Sequence, residues 1–120
     1  PIAAKVPILI EKQESICIRY IVLTAVRKWR KKLMMPFPID YLFNYACDKF
    51  YRVGFEHKDY PCEVKGFLIH TDGNSFDFLT PKGICHIKRK DITYIHPINY
   101  VYKDDEKEYK AAIENYLNAH

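Results

Sequence analysis

A chain of 120 residues, 48% of them hydrophobic and 28% charged, suits one globular domain spanning residues 1–120, with a modest core and little room for a second. The net charge of +4 is too small for a general polycation. The longest apolar run, around YIVLTAV, falls far short of the roughly 20 residues a membrane helix needs, so the reading is a soluble, cytoplasmic protein without a membrane partner.

In chain order, KVPILIEKQESICIRYIVLT is rich in β-branched residues and alternates at 16–23. This predicts two strands near 5–11 and 16–24 joined at EKQES. A helix beginning at Ser15 is the competing reading, because Ile18, Val22, Ala25, Trp29 and Leu33 also recur at helical spacing. Under the strand reading, Thr24 N-caps a short helix that runs to Met34. Two prolines in MPFPID break the chain. A second helix is expected over 39–49, then a strand in DKFYRVGFEH and a turn at KDYP.

The stretch from Cys62 to Pro97 parses as strands at 63–71, 75–80, 84–89 and 93–96, with DGN and PKG supplying the first two turns. Asp-Gly and Lys-Gly provide the positive φ that tight hairpins require. Short strands so linked form antiparallel meanders that commonly close into small barrels. The last segment, DDEKEYKAAIENYLNAH, reads as an amphipathic helix with Tyr109, Ala112, Ile113, Tyr116 and Leu117 as its buried stripe.

Within this meander, VKGFLIHTD places Gly66, Leu68 and Asp72 at the spacing of the strand motif of the Sm-like family of RNA-binding proteins, which it resembles. RKDITYIHP, from Arg89 to Pro97, is similar to the closing segment of that family's bacterial RNA-chaperone branch. The resemblance covers residues 64–97 and implies that Arg89 and Lys90, which match the family's basic pair, touch RNA. A pseudo-barrel similar to PUA domains accommodates the layout of the whole chain as an alternative.

Charge is concentrated in one place. Arg19, Arg27, Lys28, Arg30, Lys31 and Lys32 lie in a stretch without an acid, while residues 103–120 hold three lysines against five acids, leaving the rest balanced. Cations in a row hold phosphates by displacing condensed counterions. Trp29, among them, either anchors the core or stacks on a base. Lys88, Arg89 and Lys90 form a second basic corner, and Tyr51 with Arg52 is a further candidate for the same surface.

Catalytic signatures are lacking. No phosphate loop, nucleophile elbow or H-E-x-x-H is present. His70 and His86, with Lys88, suggest a minor nuclease reading, but no carboxylate that would orient them is identifiable. Cys17, Cys47, Cys62 and Cys85 form no C-x-x-C pair. They are expected as reduced, mostly core thiols. A zinc site drawn from His57, Cys62, His70, Cys85 and His86 requires ligands converging from scattered positions.

The expected fold is α+β: a small, mainly antiparallel β-barrel, PUA-like or Sm/SH3-like, with flanking helices that include the C-terminal amphipathic one. The implied function is that of a non-enzymatic regulatory protein that occupies RNA through a basic surface, with DNA in place of RNA left open and no cofactor. A bias toward Ile and Lys over Ala and Gly fits a low-GC bacterium or its mobile elements. A protein-interaction module with a protein partner is the alternative, and a small nuclease the third reading.

Overall fold

Among the described residues, five antiparallel strands carry the middle of the chain, and two helices pack on one face of the sheet they form. The computed structural model describes residues 14–33 and 48–119. The elements are β1 (Ser15–Cys17), α1 (Ile18–Leu33), β2 (Phe50–His57), β3 (Tyr60–Thr71), β4 (Ser75–Thr80), β5 (Gly83–Lys88), a 3-10 turn (Arg89–Asp91), β6 (Ile92–Pro97), β7 (Tyr100–Tyr102), a second 3-10 turn (Lys103–Asp105) and α2 (Glu106–Ala119). The main sheet runs β5-β4-β3-β2-β6, with β5 and β6 as its two edges, and is not closed into a barrel. A separate ribbon pairs β1 with β7. The architecture is α+β, as expected.

The meander matches its sequence signals closely. Asp72 Oδ1 accepts the Asn74 and Ser75 amides, each at 2.9 Å, and Gly73 takes φ 91° between β3 and β4. Gly83, at φ 120°, closes the next turn, where the buried Thr80 hydroxyl donates to the Gly83 carbonyl at 2.8 Å. Between β2 and β3, Lys58 and Asp59 both take positive φ without glycine. Gly66 has a packing reason, because a Cβ there would lie 2.6 Å from the Leu79 carbonyl oxygen.

One expectation is overturned. The segment expected as a strand over 16–24 is strand only to Cys17 and continues as helix from Ile18 to Leu33. Burial decides this: Ile18, Ile21, Val22, Ala25, Val26 and Trp29 are all buried at 3- and 4-residue spacing. Their gain, about 1.5–3 kcal/mol for each large apolar side chain, exceeds the few tenths that β-branching costs a helix. Thr24 is therefore mid-helix, and its hydroxyl bonds back to the Tyr20 and Ile21 carbonyls at 2.9 and 3.0 Å instead of capping an N-terminus. The strand expected over 5–11 and residues 39–47 of the helix expected over 39–49 lie outside the described residues, while its last two residues, Asp48 and Lys49, form a turn and not helix.

Strand alternation sorts the sheet into two faces. Phe50, Phe67 and Leu79 are register partners across β2, β3 and β4, and they pack under α1 and α2. The Phe50 and Phe67 rings lie 4.6 Å apart, and Tyr109 of α2 meets Phe50 edge-on at 5.4 Å. On the opposite face, Val53, Phe78 and Ile87 form a second buried cluster, with Tyr51, Phe55, Val64, Leu68, Phe76, Cys85 and Ile92 around it. Cys17, Cys62 and Cys85 are free and half-buried, short of the full burial expected. Cys47 lies outside the described residues.

Candidate nucleic-acid interface

The basic run of α1 is distributed around the helix and does not form one comb. At 100° per residue, with Val22, Ala25, Val26 and Trp29 buried, Arg27 and Lys31 point away from the core and are exposed. Lys28 leans toward α2, where its ammonium lies 3.8 Å from Glu114. Arg30 sits on the other flank, half-buried. The side chain of Lys32 lies outside the described ones. Trp29 is 5% exposed inside the main core, so its ring has no open face for a base. Of the two readings of Trp29, anchor is the one that fits.

The second corner is open. Lys88 ends β5, and Arg89 and Lys90 follow in the 3-10 turn, all three exposed. Together with Asn74 they line a shallow depression. The Arg89 amide donates to the Asn74 carbonyl at 2.9 Å, which fixes the turn against the β3–β4 hairpin. Leu79 pairs with Ile84 and Ser75 with Lys88. Alternation therefore puts Lys88 on the face of the sheet that carries the helices. Lys88 thus shares its sheet face with Phe50, Phe67 and Leu79, the residues packed under the helices.

Tyr51 and Arg52 part company. Neighbours in a strand point to opposite faces, so Tyr51 packs into the second cluster while Arg52 lies exposed on the helix-bearing face. Grouping both on one surface is corrected accordingly. Arg52 instead belongs to a row that sequence reading missed. Its register partners are His96 on β6 and Lys65 on β3, so three basic side chains stand side by side across adjacent strands, about 4.8 Å between neighbours. The next row holds Tyr94, Gly54 and Glu63. Arg52 Nε lies 3.8 Å from Glu63, and the Tyr94 hydroxyl donates to the same carboxylate, which raises the tyrosine's pKa. His96 meets the Tyr94 ring edge-on at 5.2 Å, and the Lys65 ammonium lies 5.1 Å from the centre of the Tyr102 ring.

No protein-family model, curated protein or solved structure matches this chain. Asp77 of β4 is register partner to both His70 and His86, and its carboxylate lies 2.5 Å from His86 Nδ1. An orienting carboxylate, not identifiable in the sequence, is present, although the row lies on open surface with His86 59% exposed. Among the described residues, no group of three or more His, Cys, Asp or Glu converges as metal ligands. Burial pushes the Cys85 thiol pKa up, which disfavours the thiolate that metals bind. Among the described residues, no helix is long and apolar enough to cross a membrane.

Among the described residues, the arrangement places donors and positive charge on open surface. Exposed arginine and lysine side chains can pair with anions, and phosphate rewards several such contacts at once.

Proposed function

We propose that this chain is a non-catalytic RNA-binding regulatory protein that acts in the cytoplasm by occupying transcripts through a basic surface. The observation that carries this reading is the exposure of Arg27 and Lys31 on the outward side of α1 and of Lys88 at the end of β5. Arg89 and Lys90, which match the basic pair of the Sm-like resemblance, follow Lys88 directly and are exposed. In fold terms, β6 returns beside β2, so the last strand of the meander neighbours the first. That neighbour order is compatible with the Sm/SH3-like layout, and the sheet stays open between its edges β5 and β6.

The test is a salt titration of binding to labelled RNA. Affinity should fall linearly on a log–log plot. Changing Arg27, Lys31, Lys88 and Lys90 together to glutamine should reduce the slope, for a single-stranded RNA, by roughly 0.7 for each phosphate that is no longer neutralised. Salt-independent binding, or a variant indistinguishable from wild type, would remove this surface as the RNA site.

A protein-interaction module has one observation in its favour. A groove between α2 and the β4–β5 hairpin is lined by Ala112, Tyr116, Pro81 and Ile84, the last 58% exposed. That reading expects a co-purifying protein whose retention survives ribonuclease and is lost with Ile84→Glu.

A further inference from the structure

We infer that the sheet surface formed by Tyr94, His96, Arg52 and Lys65 is a single-strand platform: a nucleobase stacks on Tyr94 while the adjoining phosphates lie along the basic row. The inference rests on the RNA-binding reading and assigns it a second contact surface, separate from the cations of α1 and the Lys88–Lys90 corner.

Geometry gives the first argument. A Cβ on Gly54 would lie within 2.6 Å of each of Cε1, Cζ and Cδ1 of Tyr94. Similar approaches to three consecutive ring atoms mean that the ring lies face-down on the backbone of β2. A ring so placed turns its other face outward, parallel to the sheet. The hydroxyl, held by Glu63, fixes it there. An aromatic face immobilised before binding loses little further freedom when a base lands on it.

Charge gives the second. His96, Arg52 and Lys65 occupy the row beside the ring, on three neighbouring strands. Arg52 and Lys65 are directly opposed like charges, an arrangement that weakens a sheet in the absence of an anion. Glu63 meets Arg52 through Nε, and a guanidinium has further donors at its terminal nitrogens for a phosphate oxygen pair. Tyr102, 46% exposed and above Lys65, extends the aromatic surface at the far end of the row.

The occupant follows from this combination. Bases in a duplex are stacked on one another and cannot reach a ring on a flat sheet, whereas single strands splay their bases onto aromatic side chains. A protein partner would meet alternating charge on Arg52, Glu63 and Lys65 between the two tyrosine rings, and desolvating those charges opposes a protein–protein contact there. Single-stranded RNA fits.

Binding of a labelled oligouridylate, the same-length deoxy strand and an RNA duplex would be measured at low salt. Tyr94→Leu should weaken both single strands about tenfold and leave the duplex unchanged, with Tyr94→Phe retaining most of the affinity. Arg52→Gln with Lys65→Gln, one exposed and one half-buried, should weaken single-strand binding and lower its salt slope by about 1.4. Normal single-strand binding by the Arg52/Lys65 variant, with loss only in the Arg27/Lys31/Lys88/Lys90 variant, would overturn the platform and leave the RNA reading standing. A wild-type protein that binds none of the three probes would overturn both. Should Tyr94→Leu fail to fold, the Arg52/Lys65 double variant decides alone.

Discussion

Tyr94 covers Gly54 so closely that no other residue fits beneath it: a Cβ on Gly54 would lie within 2.6 Å of three atoms of the Tyr94 ring. The relationship is a register contact between β2 and β6, and it ties the fold of the sheet to its proposed binding surface. Gly54→Ala should push the ring off its seat and destabilise the protein by about 1–3 kcal/mol. With Tyr94→Ala added, the clash vanishes, so the double variant should cost less than the sum of the two single ones. Urea unfolding of the four proteins measures the coupling. Strict additivity would mean that the ring and the glycine do not meet.

Gly66 makes a harder contact. The atom that a Cβ would strike is the Leu79 carbonyl oxygen, 2.6 Å away on the neighbouring strand. A side chain can swing aside, but a paired backbone cannot without losing ladder hydrogen bonds. Gly66→Ala is therefore expected to cost at least as much as Gly54→Ala, about 3 kcal/mol, with faster exchange of the β3–β4 amides. Equal amide protection in variant and wild type would contradict the close approach.

The uneven legibility of the sequence has a physical basis in these same residues. The meander was readable because Asp72, Gly73 and Gly83 carry local conformational requirements that a turn must meet. The stripe of α2 was readable because its spacing admits one period. Residues 16–24 admitted two, and the choice of helix was made by partners far along the chain, Phe50, Val101 and Tyr109 among them. The basic row was not legible at all. Lys65, Arg52 and His96 are brought together by strand register alone, and the His70–Asp77–His86 row shows the same effect.

Asp72 makes the β3–β4 turn sensitive to acid. Backbone amides of Asn74 and Ser75, then the Ser75 hydroxyl, stabilise its carboxylate and lower its pKa from the ordinary 3.8. A carboxyl whose folded pKa is depressed contributes stability above its unfolded value, and that contribution is lost as pH falls through the folded one. Wild type should therefore lose stability below about pH 4 in part through this group. Asp72→Asn keeps an acceptor oxygen but cannot titrate, so its stability curve should be flatter in that range. Parallel acid curves for the two proteins would remove Asp72 from the account.

Trp29 is the residue for which sequence left two roles and the structure favours one. It is the single tryptophan of the chain and is 5% exposed, on the same helical stripe as Val22, Ala25 and Val26. Burial in an apolar core shields an indole from iodide, so its fluorescence should resist quenching until the protein unfolds. Adding RNA should leave the emission unchanged, because no base can reach the ring. Trp29→Ala should cost about 3–5 kcal/mol through the cavity it leaves. By contrast, Lys31→Gln, on the exposed side of the same helix, should stay within about 0.5 kcal/mol of wild type. Strong quenching of Trp29 by oligouridylate, with little loss of stability in Trp29→Ala, would reverse the assignment and make the indole a binding residue. The expected pattern instead makes α1 an anchored rod: its tryptophan fixes the helix to the sheet, and that fixation holds Arg27 and Lys31 on the outward side proposed to contact phosphates.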